Sequence, residues 1–161
     1  MKCTLVRLEQ LSGNEATVYS VLLDDEQKNL YQVFLEENLI SFRSEVIDIN
    51  GRLKTIGQLG AREGFFKLKE GVPGDGVCAL YDEDESNLRL YCIRYGNDIV
   101  ILGGGGEKPK EISALQESPK LTTENDTMRK LSKAIQEKIK EREIKFSADR
   151  LSFEGELEFE I

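Results

Sequence analysis

The sequence predicts an α+β fold: an antiparallel β-sheet packed against two N-terminal helices, with a C-terminal helix–strand extension. Three patterns carry this expectation. Phe42, Val46, Ile49, Leu53 and Ile56 recur at helical spacing. Three apolar runs, 76–81, 88–95 and 98–102, are separated by connections short enough for antiparallel hairpins. From Leu151 to Ile161 apolar residues alternate with acidic and polar ones, the pattern of a strand with one wet face.

In chain order, Lys2–Leu8 and Ala16–Leu23 read as two strands joined at Ser12-Gly13-Asn14. Asp24 or Asp25 is the candidate cap of the first helix, because a side-chain carboxylate there accepts hydrogen bonds from unpaired amides. That helix would carry Leu30, Val33, Phe34 and Leu39 on one side. The second helix carries the Phe42–Ile56 stripe. Gly51 lies within it and costs roughly 1 kcal/mol against alanine, which makes it the place where this helix would break. Gly57 and Gly60 end the pattern, and Pro73-Gly74 and Asp75-Gly76 mark turns.

In the run 88–95, side-chain alternation sets Leu88, Leu90 and Cys92 on one face. Arg89, Tyr91, Ile93 and Tyr95 take the other. The first face suits packing against the helices, which leaves the second open. Ile99–Leu102 is continuously apolar, as a central strand is. Gly103–Gly106 reads as a flexible connection. The sharper alternative, an anion cradle of backbone amides, lacks the phosphate-loop ending Gly-Lys-Ser/Thr. Thr123 or Asp126 would cap a helix bearing Met128, Leu131, Ile135 and Ile139, with lysines on its other faces, and the last strand would turn at Gly155. Residues 1–120 thus form the main domain and 121–161 the extension.

Composition narrows the chemistry. Hydrophobic residues make up 39% of the 161 and charged residues 32%, a globular balance. No apolar run is long enough to cross a bilayer, and the N-terminal stretch lacks the apolar core of a signal peptide, so a cytoplasmic location is expected. Cys3, Cys78 and Cys92 are odd in number and not at metal-ligand spacing; they read as small buried hydrophobes. With no histidine, acid–base work would fall to lysine, tyrosine, a carboxylate or water, and neither cofactor nor metal is expected. The net charge of −8 argues against a generic nucleic-acid binder. The charge is uneven, however: residues 120–145 hold eight Lys/Arg against five Asp/Glu, and residues 146–161 one against five.

The order of elements resembles the RelE/HigB toxin family of the RelE/ParE superfamily. The residues that carry the resemblance begin with Leu53-Lys54-Thr55-Ile56-Gly57 and Phe65-Phe66-Lys67-Leu68-Lys69. Val77–Tyr81, Leu88–Arg94 and Ile99–Leu102 follow, then Lys108 and Lys110. The likeness extends over about Leu22 to Lys120. It implies a RelE/ParE-like sheet and a toxin–antitoxin role: a ribosome-dependent mRNA endoribonuclease, or a decayed relative that binds RNA or the ribosome. It also implies a cognate antitoxin of helix-turn-helix type as partner. Position by position, Arg89 matches the arginine that grips the scissile phosphate, with Tyr91 beside it for stacking or proton transfer. Lys108 completes the implied catalytic set. Lys67, Lys69, Arg94 and Lys110 match RNA-binding positions, Arg94 on the opposite parity to Arg89.

The chain departs from the family where a histidine or aromatic residue is followed by paired lysines; here the run is Gly103-Gly104-Gly105-Gly106-Glu107-Lys108-Pro109-Lys110. It is also acidic and longer than typical members, which are basic. Two bland alternatives stand beside the sharp ones. Arg89 also reads as a solvated strand residue paired with Asp82, Glu83 or Asp84. The whole protein reads alternatively as a non-catalytic protein-binding module that retains the fold. The glutamate row of the tail is either a wet strand face or a cover for a basic surface, its own or a partner's.

Overall fold

The computed structural model describes residues 1–109 and 118–161. The chain begins with β1 (Lys2–Arg7), β2 (Thr17–Leu23), α1 (Leu30–Asn38) and α2 (Arg43–Leu59). Next come β3 (Phe66–Lys67), β4 (Val77–Leu80), β5 (Leu88–Tyr95) and β6 (Ile99–Glu107). It ends with α3 (Pro119–Lys140), β7 (Ile144–Phe146), β8 (Phe153–Gly155) and β9 (Glu158–Glu160). Among the described residues seven strands make one mixed sheet in the order β3-β4-β5-β6-β2-β1-β9, and β7 and β8 form a separate hairpin. All pairs are antiparallel except β2–β6, where Thr17, Val18 and Tyr19 run beside Ile99, Val100 and Ile101. A parallel pair needs a long crossover; α1, α2 and β3–β5 supply it. The fold is therefore α+β with a mostly antiparallel sheet, as expected.

Alternation along the central strands builds two cores. Val100 and Leu102 of β6, with Leu88, Leu90 and Cys92 of β5, meet Phe34, Val46, Ile49, Leu53 and Ile56 from α1 and α2. Ile99, Ile101, Tyr91 and Ile93 face Leu121, Met128, Leu131 and Ile135 of α3. This explains the unbroken apolar run Ile99–Leu102, since both faces of that strand are buried. It also corrects one expectation. The sheet face expected to lie open is roofed by α3, with Ile144 and Phe153 of the β7–β8 hairpin in the same core.

Four local expectations are corrected as well. The first helix is capped by Asn29, not by Asp24 or Asp25. The Asn29 side chain accepts from the Gln32 amide at 2.9 Å while the Gln32 side chain accepts from the Asn29 amide at 2.9 Å. Asp24 instead accepts from the Lys2 amide at 3.0 Å. The second helix does not break at Gly51, which is exposed with nothing near its missing Cβ, and it runs through Gly57 to Leu59. Glycine is needed at 57, where a Cβ would collide with the Leu11 carbonyl. The third helix starts at Pro119, capped by Ser118, whose hydroxyl accepts from the Leu121 amide at 3.1 Å, rather than by Thr123 or Asp126.

Gly103–Gly106 is the fourth correction: it is strand, buried within β6, with Gly105 opposite Leu90 and Gly106 opposite Arg89. A Cβ at 103 would strike the Met128 side chain, one at 104 the Glu124 carboxylate, and one at 105 the Arg89 carbonyl. The glycines let the helix and the neighbouring strand approach.

The tail turns at Gly155 (φ +105°), as expected. It becomes two strands, β8 on β7 and β9 on the outer edge of β1, where Phe159 lies opposite Cys3. Glu158 pairs with Lys2 at 3.0 Å and Glu160 with the N-terminal ammonium at 3.1 Å. The glutamates flank a covered sheet edge, and Phe159 drops into the α3-side core.

Candidate anion-binding site

The β4–β5 connection begins with Tyr81 and Asp82, and its geometry is set from α2. The Glu45 carboxylate accepts the backbone amides of Asn87 (2.7 Å) and Leu88 (2.9 Å) and the Asn87 side chain (2.9 Å). Arg52, one side of the same helix, donates to the Tyr81 carbonyl at 2.5 Å. The loop so held turns Asp82 inward, its side chain only 5% exposed.

Three cations meet this carboxylate. Lys67 of β3 pairs with Asp82 Oδ1, and its ammonium also lies 5.6 Å from the centre of the Tyr81 ring. Arg89 of β5 donates from Nε to Asp82 Oδ2 at 3.2 Å. Lys108, just beyond β6, stands 3.7 Å from Oδ1 and donates to the Glu83 carbonyl (2.7 Å) and the Ser86 hydroxyl (3.0 Å). Lys67 and Arg89 retain 29% and 22% of their side-chain exposure, Lys108 10%. Burial alone would lower the Arg89 pKa. The Asp82 charge and hydrogen bond, with Glu70 and Tyr91 adding, outweigh it and hold the guanidinium above its ordinary value. Three cations therefore converge on one carboxylate, Asp82, with Glu70 close enough to act on Arg89 and Glu45 bound to the neighbouring Asn87 and Leu88 amides.

The remaining sequence candidates lie elsewhere. Tyr91 is fully buried between the sheet and α3, not on an open face beside Arg89, because α3 covers that side. Arg94 points to the α1–α2 side, donating to the Ala61 carbonyl at 2.5 Å and to the Asn97 side chain at 2.6 Å. Lys69 is exposed with a positive φ of 75° and shares with Arg94 a cavity of about 630 Å³ beside the 71–76 loop. Lys110 lies outside the described residues. The structure thus brings together Lys67, Arg89 and Lys108, keeps Tyr91 close enough to act on Arg89 but buried under α3, and leaves Lys69 and Arg94 apart.

The Arg89–Asp82 pair is one of the pairings expected for a strand arginine at this place, whereas the sharing of Asp82 with Lys67 and Lys108, and Glu45 as the anchor of its loop, escaped sequence reasoning. The Asp82–Asp84 cluster was the one available signal, since a carboxylate beside a strand arginine is a ready counterion. Glu45 sits among ordinary polar residues of an amphipathic helix and carries no such signal. Among the described residues no helix is long and apolar enough to cross a membrane. Compared with known proteins, the chain matches no family model, no curated protein and no solved structure.

Proposed function

We propose that the protein is a RelE/HigB-type toxin component that works in the cytoplasm, gripping RNA phosphate through Lys67, Arg89 and Lys108 and held in check by a helix-turn-helix antitoxin. The observation that carries the reading is the meeting of these three cations, drawn from separate stretches of the chain, around the single carboxylate of Asp82. Two helices backing a β4–β5–β6 meander is further support. Attack by an RNA 2′-hydroxyl needs a proton acceptor, stabilisation of the phosphorane and protonation of the leaving oxygen. A guanidinium beside ammonium groups serves the second need through paired, charge-assisted hydrogen bonds. With the Tyr91 hydroxyl inside the core, proton transfer falls to Lys67, Lys108 or Asp82.

Induction in a bacterial host tests the reading. Wild type should arrest growth and Arg89→Ala should relieve the arrest at equal protein level. Unimpaired growth on induction of wild type removes the toxin function.

The burial of Tyr91 favours a second reading, a non-catalytic protein-binding module on the same fold. One stoichiometric protein recovered in a pull-down, with RNA left intact and growth unaffected, would select it.

A further inference from the structure

Helix α3 carries six Lys/Arg against three Asp/Glu, and part of that excess is concentrated at one place. Arg129, Lys130 and Lys133 line a cleft of about 400 Å³ together with Val72, Asp75 and Asp126, three cations against two carboxylates. All three cations are exposed, and none has an ion-pair partner among the described residues. That contrasts with Lys120, which is tied to Glu37 and Glu124, and with Lys138, tied to Glu143.

Both walls of the cleft are tied together. Its far wall is clamped to α3 by three side chains of the helix. Asn125 donates to the Glu70 carbonyl at 2.9 Å, Ser132 to the Asp75 carbonyl at 2.5 Å, and Gln136 to the Gly74 carbonyl at 3.1 Å. The same loop leaves β3 directly after Lys67, and its Glu70 acts on Arg89. The cleft and the Asp82 cluster therefore flank one segment that is hydrogen-bonded to α3.

We propose that this cleft binds the sugar–phosphate backbone of single-stranded RNA, as a second phosphate-binding surface beside Lys67, Arg89 and Lys108; the inference rests on the RNA reading above. Unpaired cations with one guanidinium among them suit phosphate oxygens, which accept paired hydrogen bonds. No aromatic ring lines the cleft among the described residues, so bases have nothing to stack on and recognition is independent of sequence. Phosphate contacts of this kind position a strand rather than read it.

The test is fluorescence anisotropy of a labelled oligo(U) titrated with the full chain over a range of KCl concentrations. The triple variant Arg129→Ala/Lys130→Ala/Lys133→Ala should weaken binding and flatten the slope of log K against log salt by about 2, near 0.7 for each lost phosphate contact. A control with the same charge loss on the other layer, Lys28→Ala/Arg43→Ala/Lys54→Ala, should keep the wild-type slope. Equal weakening by both triples overturns the cleft, since net charge alone would then explain the loss. If Arg89→Ala weakens binding while the α3 triple does not, the cleft fails and the RNA reading stands. If the α3 triple weakens binding and Arg89→Ala does not, the cleft stands and the Asp82 cluster loses its role. Wild type that fails to bind oligo(U) overturns both. Loss of a co-purifying acidic protein in the α3 triple, with RNA binding unchanged, overturns RNA as the occupant.

Discussion

The carboxylate of Glu45 holds Asn87 twice, by its backbone amide at 2.7 Å and its side-chain amide at 2.9 Å. This contact joins α2 to the loop that carries Asp82 and so couples the helical layer to the cation cluster. Hydrogen bonds to a charged group contribute about 1.5–3 kcal/mol. Glu45→Ala is therefore expected to lower stability by about 2 kcal/mol in urea unfolding, with Glu45→Gln losing less. An alanine variant as stable as wild type would show that the loop is held by other contacts.

Removing Asp82 strips three cations of their shared partner. Breaking a buried pair on one side costs about 3–5 kcal/mol, and the remaining exposure of Lys67 and Arg89 brings the expected loss for Asp82→Asn nearer 2–3 kcal/mol. The three cations, left without that counter-charge, would attract an external anion. Added phosphate should raise the melting temperature of the variant more than that of wild type, because a ligand that binds only the folded state stabilises it by mass action. Equal shifts for the two proteins would remove the anion-site interpretation.

Two glycine substitutions should act in opposite directions. At exposed Gly51 a new Cβ meets nothing, so Gly51→Ala is expected to stabilise by about 0.5–1 kcal/mol through helix propensity. At Gly105 a Cβ would overlap the Arg89 carbonyl on the adjacent strand, so Gly105→Ala should cost at least about 2 kcal/mol and disturb the strand that bears Arg89. Thermal melts of the two variants read the contrast directly. A neutral Gly105→Ala would mean that β5 and β6 are spaced more loosely than they are here.

Alkaline pH should loosen the fold from the β1 side. Burial pushes the Cys3 thiol up from 9.0 to about 11. Across that window the folded chain keeps a proton that the unfolded chain releases, so this contribution is complete below about pH 9 and is lost as pH rises through about 11. Burial likewise raises Cys92, Tyr31 and Tyr95, which extends the decline to higher pH. Urea midpoints followed against pH should fall over this range, and Cys3→Ala should flatten the first part of the fall. An unchanged slope in the variant would assign it to other groups.

The tail's contribution should come from its apolar side. Phe159 is 5% exposed in the α3-side core, and Phe159→Ala is expected to cost about 3 kcal/mol. Glu158→Ala and Glu160→Ala remove only exposed ion pairs and should leave the denaturation midpoint within experimental error. A larger effect from the glutamates than from Phe159 would reverse this assignment.

Much of the secondary structure was legible because side-chain periodicity is written locally. The Val46–Ile56 stripe, the Met128–Ile135 stripe, the β1–β2 hairpin and the alternation in β5 all follow from which residues must leave water. The glycine run was misread for a related reason: Gly103–Gly106 has no side chains, so it carries no period, and only the approach of Met128 and Glu124 explains why it is strand. Caps at Asn29 and Ser118 were missed because several nearby residues could serve equally and tertiary packing chose the start of each helix.

Read by itself, the sequence determined the fold class, the two faces of β5 and the central place of Ile99–Leu102 in the sheet. Tertiary structure alone decided which of those faces would be covered, because α3 is amphipathic and nothing local states where its apolar stripe docks. Its landing on the Tyr91 side buried that tyrosine. The pinning of the Asp82 loop by Glu45 then gathered Lys67, Arg89 and Lys108 around one carboxylate, a long-range arrangement that only the folded chain can make.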